Sequence, residues 1–229
     1  MTDKVLLITG ASSGIGAATA RAAAQAGFRL ALAARRKDKL DELVNELGGP
    51  DKALAVTCDV QDWDSQKAMV NSTLEHFGQL DAVFANAGRG GEPGGFSGAD
   101  PDVWKDMILT NILGVGMTLR ASLEAVKKQR GHIVLTGSAA GRATIPGSMY
   151  SATKWAVSGM GYNLREEVKS DGVRVTLIEP GMVDTPFFDD PKPGVLQAED
   201  VAETVVFALT RPPHVDVNEI LVRPIQVKD

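Results

Sequence analysis

The amino-acid sequence predicts an α/β fold, a doubly wound parallel sheet of about seven strands with helices on both faces. Three observations carry this expectation. Short runs of Val, Ile, Leu and Ala with little polar alternation recur along the chain, as strands covered on both faces require. Helical patterns separate them almost to the end. A glycine-rich turn joins the first strand to the first helix, where folds of this kind meet their ligand. The 229 residues, 44% of them hydrophobic, supply one substantial core, so a single domain over 1–229 is expected.

The strands are expected at 5–9, 29–34, 53–58, 81–86, 132–136, 174–178 and 219–223. Helices are expected near 14–26, 37–47, 61–77, 101–128, 150–169 and 198–209. Asp62 and Ser65 suit a helix start, and Gly27, Gly48 and Gly78 suit helix ends. No repeat, charge block or linker marks a second domain. The loosest stretches are 88–98 and then 186–194, both rich in Gly or Pro.

Composition excludes several classes. The net charge of -5 gives no reason to expect nucleic acid as a partner. One cysteine, Cys58, permits neither an intrachain disulfide nor a thiolate metal cluster. His76, His132 and His214 follow no ligand spacing, so no metal is expected. No apolar run approaches the ~20 residues that span a bilayer, and the N-terminus lacks a secretory pattern. A cytoplasmic protein without a membrane partner is the expectation.

The first strand ends in Thr9-Gly10-Ala11-Ser12-Ser13-Gly14-Ile15-Gly16. Gly10 turns the chain out of the strand, Gly14 lets backbone approach a pyrophosphate, and Gly16 lets the helix pack close. The helix N-terminus then offers unpaired N–H donors and a positive dipole end to phosphate. The second strand ends in Arg35-Arg36 with no carboxylate. A guanidinium is the better partner for a 2′-phosphate, whereas a carboxylate at this point suits the ribose hydroxyls of NAD. NADP(H) is therefore expected over NAD(H), the alternative being that both arginines merely face solvent.

Tyr150 and Lys154 stand at i and i+4 of an expected helix, hence on one face. An ammonium beside a phenol lowers its pKa, and such a tyrosine exchanges a proton with a carbonyl oxygen. Twelve residues upstream, Ser138 lies at the carboxyl end of the fifth strand, where a substrate oxygen is held.

Together these residues resemble the short-chain dehydrogenase/reductase family over essentially the whole chain. The resemblance rests on Thr9-Gly10-x-x-x-Gly14-Ile15-Gly16, Asn86-Ala87-Gly88, Asn111, Ser138, Tyr150-x-x-x-Lys154 and Pro180-Gly181. It implies a Rossmann-type oxidoreductase that moves a hydride between nicotinamide and a carbonyl or secondary alcohol. By that resemblance Tyr150 is the general acid/base and Ser138 polarises the carbonyl. Lys154 holds the nicotinamide ribose, and Asn111 holds a water that relays protons to Lys154. Tyr150 and Lys154 thus also count among the cofactor contacts. The resemblance further assigns Ser12, Ser13, Asp59 and Val60 to the cofactor, Asn86, Ala87 and Gly88 to its cleft, and Pro180, Gly181, Val183 and Thr185 to the nicotinamide. Two departures stand out. Ala85 occupies a position where asparagine is commoner, and the Ser138–Tyr150 spacing is one residue short of the usual form.

Specificity is expected from 89–96, 142–149 and 182–196, with Arg89 or Arg142 as anchors for a substrate carboxylate or as solvent-facing residues. Phe187 and Phe188 read equally as a lid or as a loop anchor. The C-terminal segment 211–224 resembles NADP-dependent 3-hydroxy-acid and serine dehydrogenases, which makes small hydroxy acids the substrate guess. The family implies a homodimer or homotetramer paired through the helices at 101–128 and 150–169, and Val115, Met117, Leu119, Trp155, Val157 and Met160 are apolar enough for that. An isomerase or dehydratase on the same fold, or a non-catalytic NADP(H) sensor, are the competing functions. A sensor is expected to lack the tyrosine or lysine, and both are present.

Overall fold

The computed structural model describes residues 3–91, 93–188 and 190–225. In chain order the elements are β1 (Val5–Thr9), α1 (Gly14–Gln25), β2 (Arg29–Ala34), α2 (Lys37–Glu46), β3 (Ala53–Thr57), α3 (Trp63–Phe77) and β4 (Ala82–Ala85). There follow α4 (Gly95–Gly98), α5 (Pro101–Ile108), a π-helical segment (Leu109–Gly114), α6 (Val115–Lys128) and β5 (His132–Thr136). The last part holds α7 (Met149–Val168), β6 (Arg174–Pro180), β7 (Val183–Asp184), β8 (Leu196–Gln197), α8 (Ala198–Leu209) and β9 (Glu219–Val222).

Seven strands form one parallel sheet in the order β3-β2-β1-β4-β5-β6-β9. The order reverses beside β1, so β1 and β4 border the crevice where ligands of such sheets bind. Strand pleating divides the core into two layers. Val5 and Leu7 face one layer with Met69, Leu119 and Val157, and Leu6 and Ile8 face the other with Leu40 and Val201. Both faces are covered, which explains the continuous apolar runs. Alanines pack α1 close to α8: Ala17, Ala20 and Ala23 are buried, and larger residues would hold the helices apart.

The expected caps are present. Asp62 accepts a hydrogen bond from the Ser65 N–H at the start of α3, and Gly78 ends that helix at φ 77°. The boundaries differ at several ends: β3 stops at Thr57, β4 covers only Ala82–Ala85, and β6 runs on through Glu179 to Pro180. The expected helix 101–128 is not continuous, because its middle widens into the π-helical segment. Gly114 ends this segment at a close approach, since a Cβ there would lie 3.1 Å from the Val60 carbonyl oxygen. Among the described residues, Gly95–Gly98 of the first stretch expected to be loose forms α4, and the second lies between the paired strands β7 and β8. Val115, Leu119 and Val157 belong to the core of this chain and are not free for pairing. No helix among the described residues is long and apolar enough to cross a membrane.

His132 opens β5 in a buried position. Thr176 donates its hydroxyl to the Val217 carbonyl, so it accepts from His132 Nε2 at 2.8 Å. That fixes Nδ1 as the unprotonated nitrogen, and Nδ1 has no partner among the described residues. Burial, with Arg174 and Lys4 nearby, pushes the imidazole down to about 3. Below the ordinary value the unfolded chain takes up a proton that the native state refuses, so stability falls as pH drops from about 6.5 towards 3. Urea titrations at pH 7 and 5 are expected to show a loss approaching about 1 kcal/mol per pH unit from this group, absent in His132→Phe. An equal loss in the variant overturns the assignment.

Candidate active site

The sequence-predicted residues gather along the carboxyl ends of the strands. Thr9 at the end of β1 accepts at its hydroxyl from the Asn86 and Ala87 N–H groups, at 3.0 and 3.1 Å, and its carbonyl accepts from Asn86 Nδ2 at 3.1 Å. Asn86 Oδ1 in turn accepts from the Thr136 hydroxyl at 3.1 Å. The turn after β4 is thereby pinned to β1 and β5. Ala85 is buried in the apolar core and Asn86 carries the polar bonds of this turn.

The glycine turn is closely packed. Gly14 has φ 52°, and a Cβ on Gly16 would lie 2.3 Å from the Gly10 carbonyl oxygen. Ile15 packs against the α1 side of the core. Ser13 caps α1 without using its side chain. Arg36 donates to the Ser12 and Ser13 hydroxyls at 3.0 and 2.9 Å, while Arg35 is exposed beside it. Two hydroxyls and a guanidinium therefore stand at the end of β2, next to the free N–H groups of α1. Asp59 and Val60 follow β3; Asp59 accepts from the Gln61 N–H, and Val60 packs on Gly114.

On the other side of the crevice, Ser138 caps the short turn after β5 and accepts from the Ala140 N–H at 3.1 Å. The Ser148 side chain caps α7, so Tyr150 lies in its first turn. Lys154 is buried one turn further, and its ammonium donates to the Thr136 carbonyl at 2.9 Å. This is its one acceptor among the described residues, so two of its three donors remain for a ligand. The expected lowering of the Tyr150 pKa is not met. Desolvation pushes the phenol up to about 12, with the Ser138 hydroxyl opposing, and the ammonium lies over the ring, 5.7 Å from its centroid, instead of at the oxygen. Burial also pushes Lys154 down to about 8.

Asn111 sits in the π-helical segment with its side chain engaged. Oδ1 accepts from the Arg89 N–H at 2.9 Å, and Nδ2 donates to the Arg89 carbonyl and the Thr153 hydroxyl at 2.9 and 3.1 Å. Thr153 then donates to the Tyr150 carbonyl at 2.7 Å. A Cβ on Gly88 would lie 3.3 Å from Asn111 Oδ1 and 3.8 Å from Lys154 Nζ, so the two polar groups border one small space. Pro180 is buried, and its carbonyl accepts from the Ser138 hydroxyl at 3.4 Å. Val183 is buried in the core, so only its backbone is available to a ligand, and Thr185 packs against Gly14.

The family model for short chain dehydrogenases matches residues 4–194. This chain belongs to the short-chain dehydrogenase/reductase family. An uncharacterised oxidoreductase of Staphylococcus epidermidis is 37% identical over 228 residues, covering 97% of this chain and 98% of that protein. Among solved structures, an alcohol dehydrogenase from the archaeon Thermococcus sibiricus, complexed with 5-hydroxy-NADP, superposes with TM-score 0.89 at 35% identity and covers 97% of each chain. Serine dehydrogenase from Escherichia coli superposes with TM-score 0.88 at 33% identity, covering 96% of this chain and 98% of that one.

One part of this short-chain dehydrogenase site escaped the sequence reading. Glu179 has no exposed surface, yet Arg142 Nε donates to it at 2.5 Å and the Ser158 hydroxyl at 3.0 Å. Arg142 also donates to Tyr162 at 3.2 Å and to Glu219. The available signal was an acid directly before Pro180-Gly181, in a stretch whose apolar run ends at Ile178. Glu179→Gln leaves the guanidinium without its buried counter-charge and is expected to cost about 2 kcal/mol, lowering Tm by about 4–8 °C. A thermal melt within a degree of the parent overturns this role.

Proposed function

We propose that the protein is a single-domain, NADP(H)-dependent oxidoreductase that interconverts a carbonyl and a secondary alcohol, with Tyr150 as general acid/base. The observation that supports this is that the Tyr150 phenol has the Ser138 hydroxyl and the Lys154 ammonium as neighbours at the carboxyl end of the sheet. The rim fits a dinucleotide: Gly10, Gly14, Ile15 and Gly16 present backbone, and the free donors of Lys154 suit ribose hydroxyls. Asp59, Val60, Asn86, Ala87 and Gly88 border the adenosine half and the cleft. Pro180, Gly181, Val183 and Thr185 border the nicotinamide half. When bound, the nicotinamide supplies or accepts the hydride.

The chain's own part is the proton. A phenol held near 12 is fully protonated at neutral pH, which suits it to donate to a carbonyl oxygen as negative charge develops there. Ser138 supplies a second donor to the same oxygen. Lys154, still largely charged at pH 7, lies over the phenol ring and keeps two donors for ribose hydroxyls. A water beside Gly88, between Asn111 Oδ1 and Lys154 Nζ, then returns the proton from solvent. Asn111 does this while its amide braces Arg89 and Thr153.

The preference for NADP(H) over NAD(H) rests on Arg36, whose guanidinium is already oriented by Ser12 and Ser13. We place the protein in the cytoplasm as a homodimer or homotetramer. Trp155 at 54% exposed and Leu113 at 48% leave apolar surface on α7 and on the π-helical segment that a second subunit would cover.

Two measurements test the reading. Tyr150→Phe is expected to bind NADPH normally and to lose NADPH consumption on a reactive ketone by at least about a hundredfold. Full turnover in that variant removes the assignment. Arg36→Ala is expected to weaken NADPH binding by about tenfold and to leave NADH binding within about twofold, by fluorescence titration. Equal losses for both cofactors contradict the 2′-phosphate role.

A further inference from the structure

The oxidoreductase reading leaves the substrate open, and the side chains around Tyr150 narrow it. The two arginines placed by sequence to bind a carboxylate are both engaged. Arg89 is ion-paired with Asp106, which Gln61 also holds. Arg142 points to Glu179 and Glu219. Lys192, on the loop between β7 and β8, holds its ammonium 5.4 Å from the Phe188 ring centroid. Arg223, beside Gly181, is exposed to solvent, where a lone cation contributes little to holding a carboxylate.

Besides Ser138 and Lys154, Tyr150 has apolar neighbours. The Phe187 ring stands edge-on to it at 5.8 Å between centroids. A Cβ on Gly90 would lie 3.1 Å from Phe187 Cε1, so glycine lets the ring seat closer by a few tenths of an ångström. Met107, with no exposed surface, lies behind Gly91, which itself borders Tyr150. The Phe187 N–H donates to the Thr185 hydroxyl at 3.4 Å, and the β7–β8 pairing closes the loop behind it. Phe187 is nonetheless 41% exposed, so ring surface is available to a ligand held at the Tyr150 hydroxyl.

We propose that the site takes an uncharged carbonyl compound whose apolar substituent rests on Phe187, and that it discriminates against small hydroxy and keto acids. The proposal rests on the oxidoreductase reading for the position of the carbonyl. A carboxylate two or three bonds from that carbonyl lies against the Phe187 ring, where it gives up part of its hydration while Arg89 and Arg142 are already paired with acids. An alkyl, cyclic or aromatic group in its place gains contact with the ring instead. The proposal runs against the hydroxy-acid substrate expected from the C-terminal resemblance, and the test below decides between them.

The test compares acetoacetate with ethyl acetoacetate, which share the reacting ketone and differ in charge. With the full-length protein and NADPH, kcat/KM for the ester is expected to exceed that for the acid by at least about tenfold. In Phe187→Ala this advantage is expected to shrink several-fold through KM, with kcat within about twofold of the parent. Equal or better use of the acid overturns the proposal, and so does an undiminished ester advantage in the variant. Where neither compound consumes NADPH, saturation-transfer NMR on the NADPH-loaded protein decides. Binding of the ester alone supports the preference for the uncharged compound, and the missing turnover then counts against the oxidoreductase reading alone. Binding of the acid, or of neither, overturns the inference.

Discussion

Glu179 lies at the end of β6 with no surface open to water, and a carboxylate there is tolerable only because Arg142 and Ser158 both donate to it. Each of those partners belongs to a different wall of the site. Arg142 ends the short turn that Ser138 begins, Ser158 lies one helical turn beyond Lys154, and Pro180 follows Glu179 directly. The backbone leaves no slack around this group, since a Cβ on Gly137 would meet Glu179 Cγ at 2.8 Å. Arg142 extends the tie to Glu219 on β9. The relative placement of Ser138, Tyr150 and Lys154 is thus tied to one ion pair with a buried carboxylate and a partly exposed guanidinium. This is how a fixed polar constellation is built at the end of an apolar sheet: the supporting bonds lie behind the groups that act.

The opposite wall is held by neutral hydrogen bonds. Thr9 binds the turn after β4 through both its hydroxyl and its carbonyl, and Asn86 passes the connection on to Thr136. Thr136 offers its carbonyl to Lys154, so the two walls meet at the end of β5. The middle of the sheet, β1, β4 and β5, is therefore the rigid base of the crevice. The segments set around it are the loop carrying Phe187 and the loop carrying Arg89. Such a division of labour lets loops set what binds while the strands set where it reacts.

Much of this was legible in the sequence. Buried parallel strands announce themselves by uninterrupted Val, Ile, Leu and Ala, and all seven lie where those runs fall, with ends off by one or two residues. The glycine turn was equally plain, because Gly14 and Gly16 answer constraints that act within a few residues of each other. The π-helical widening was not legible, since the sequence 101–128 keeps a helical pattern throughout and the segment's contacts to Val60 and Arg89 come from elsewhere in the fold. The charge state of Tyr150 was misread for a related reason. An i, i+4 spacing places Lys154 on the same helical face, but the ammonium is drawn to the Thr136 carbonyl on a strand, and burial then governs the phenol.

The sequence by itself determined the sheet, the order of its layers, the phosphate-binding turn and the family, because each of these follows from local pattern or from motifs in fixed order. Only the tertiary structure decided what the two arginines near the site are for. Arg89 and Arg142 are equal candidates as letters in a chain, and their partners, Asp106, Glu179 and Glu219, are brought in by α5, β6 and β9. The pairing of a charge is a property of distance in space, which sequence separation does not encode. That pairing engages both arginines with acids of this chain, and it leaves the Phe187 ring as the neighbour of Tyr150.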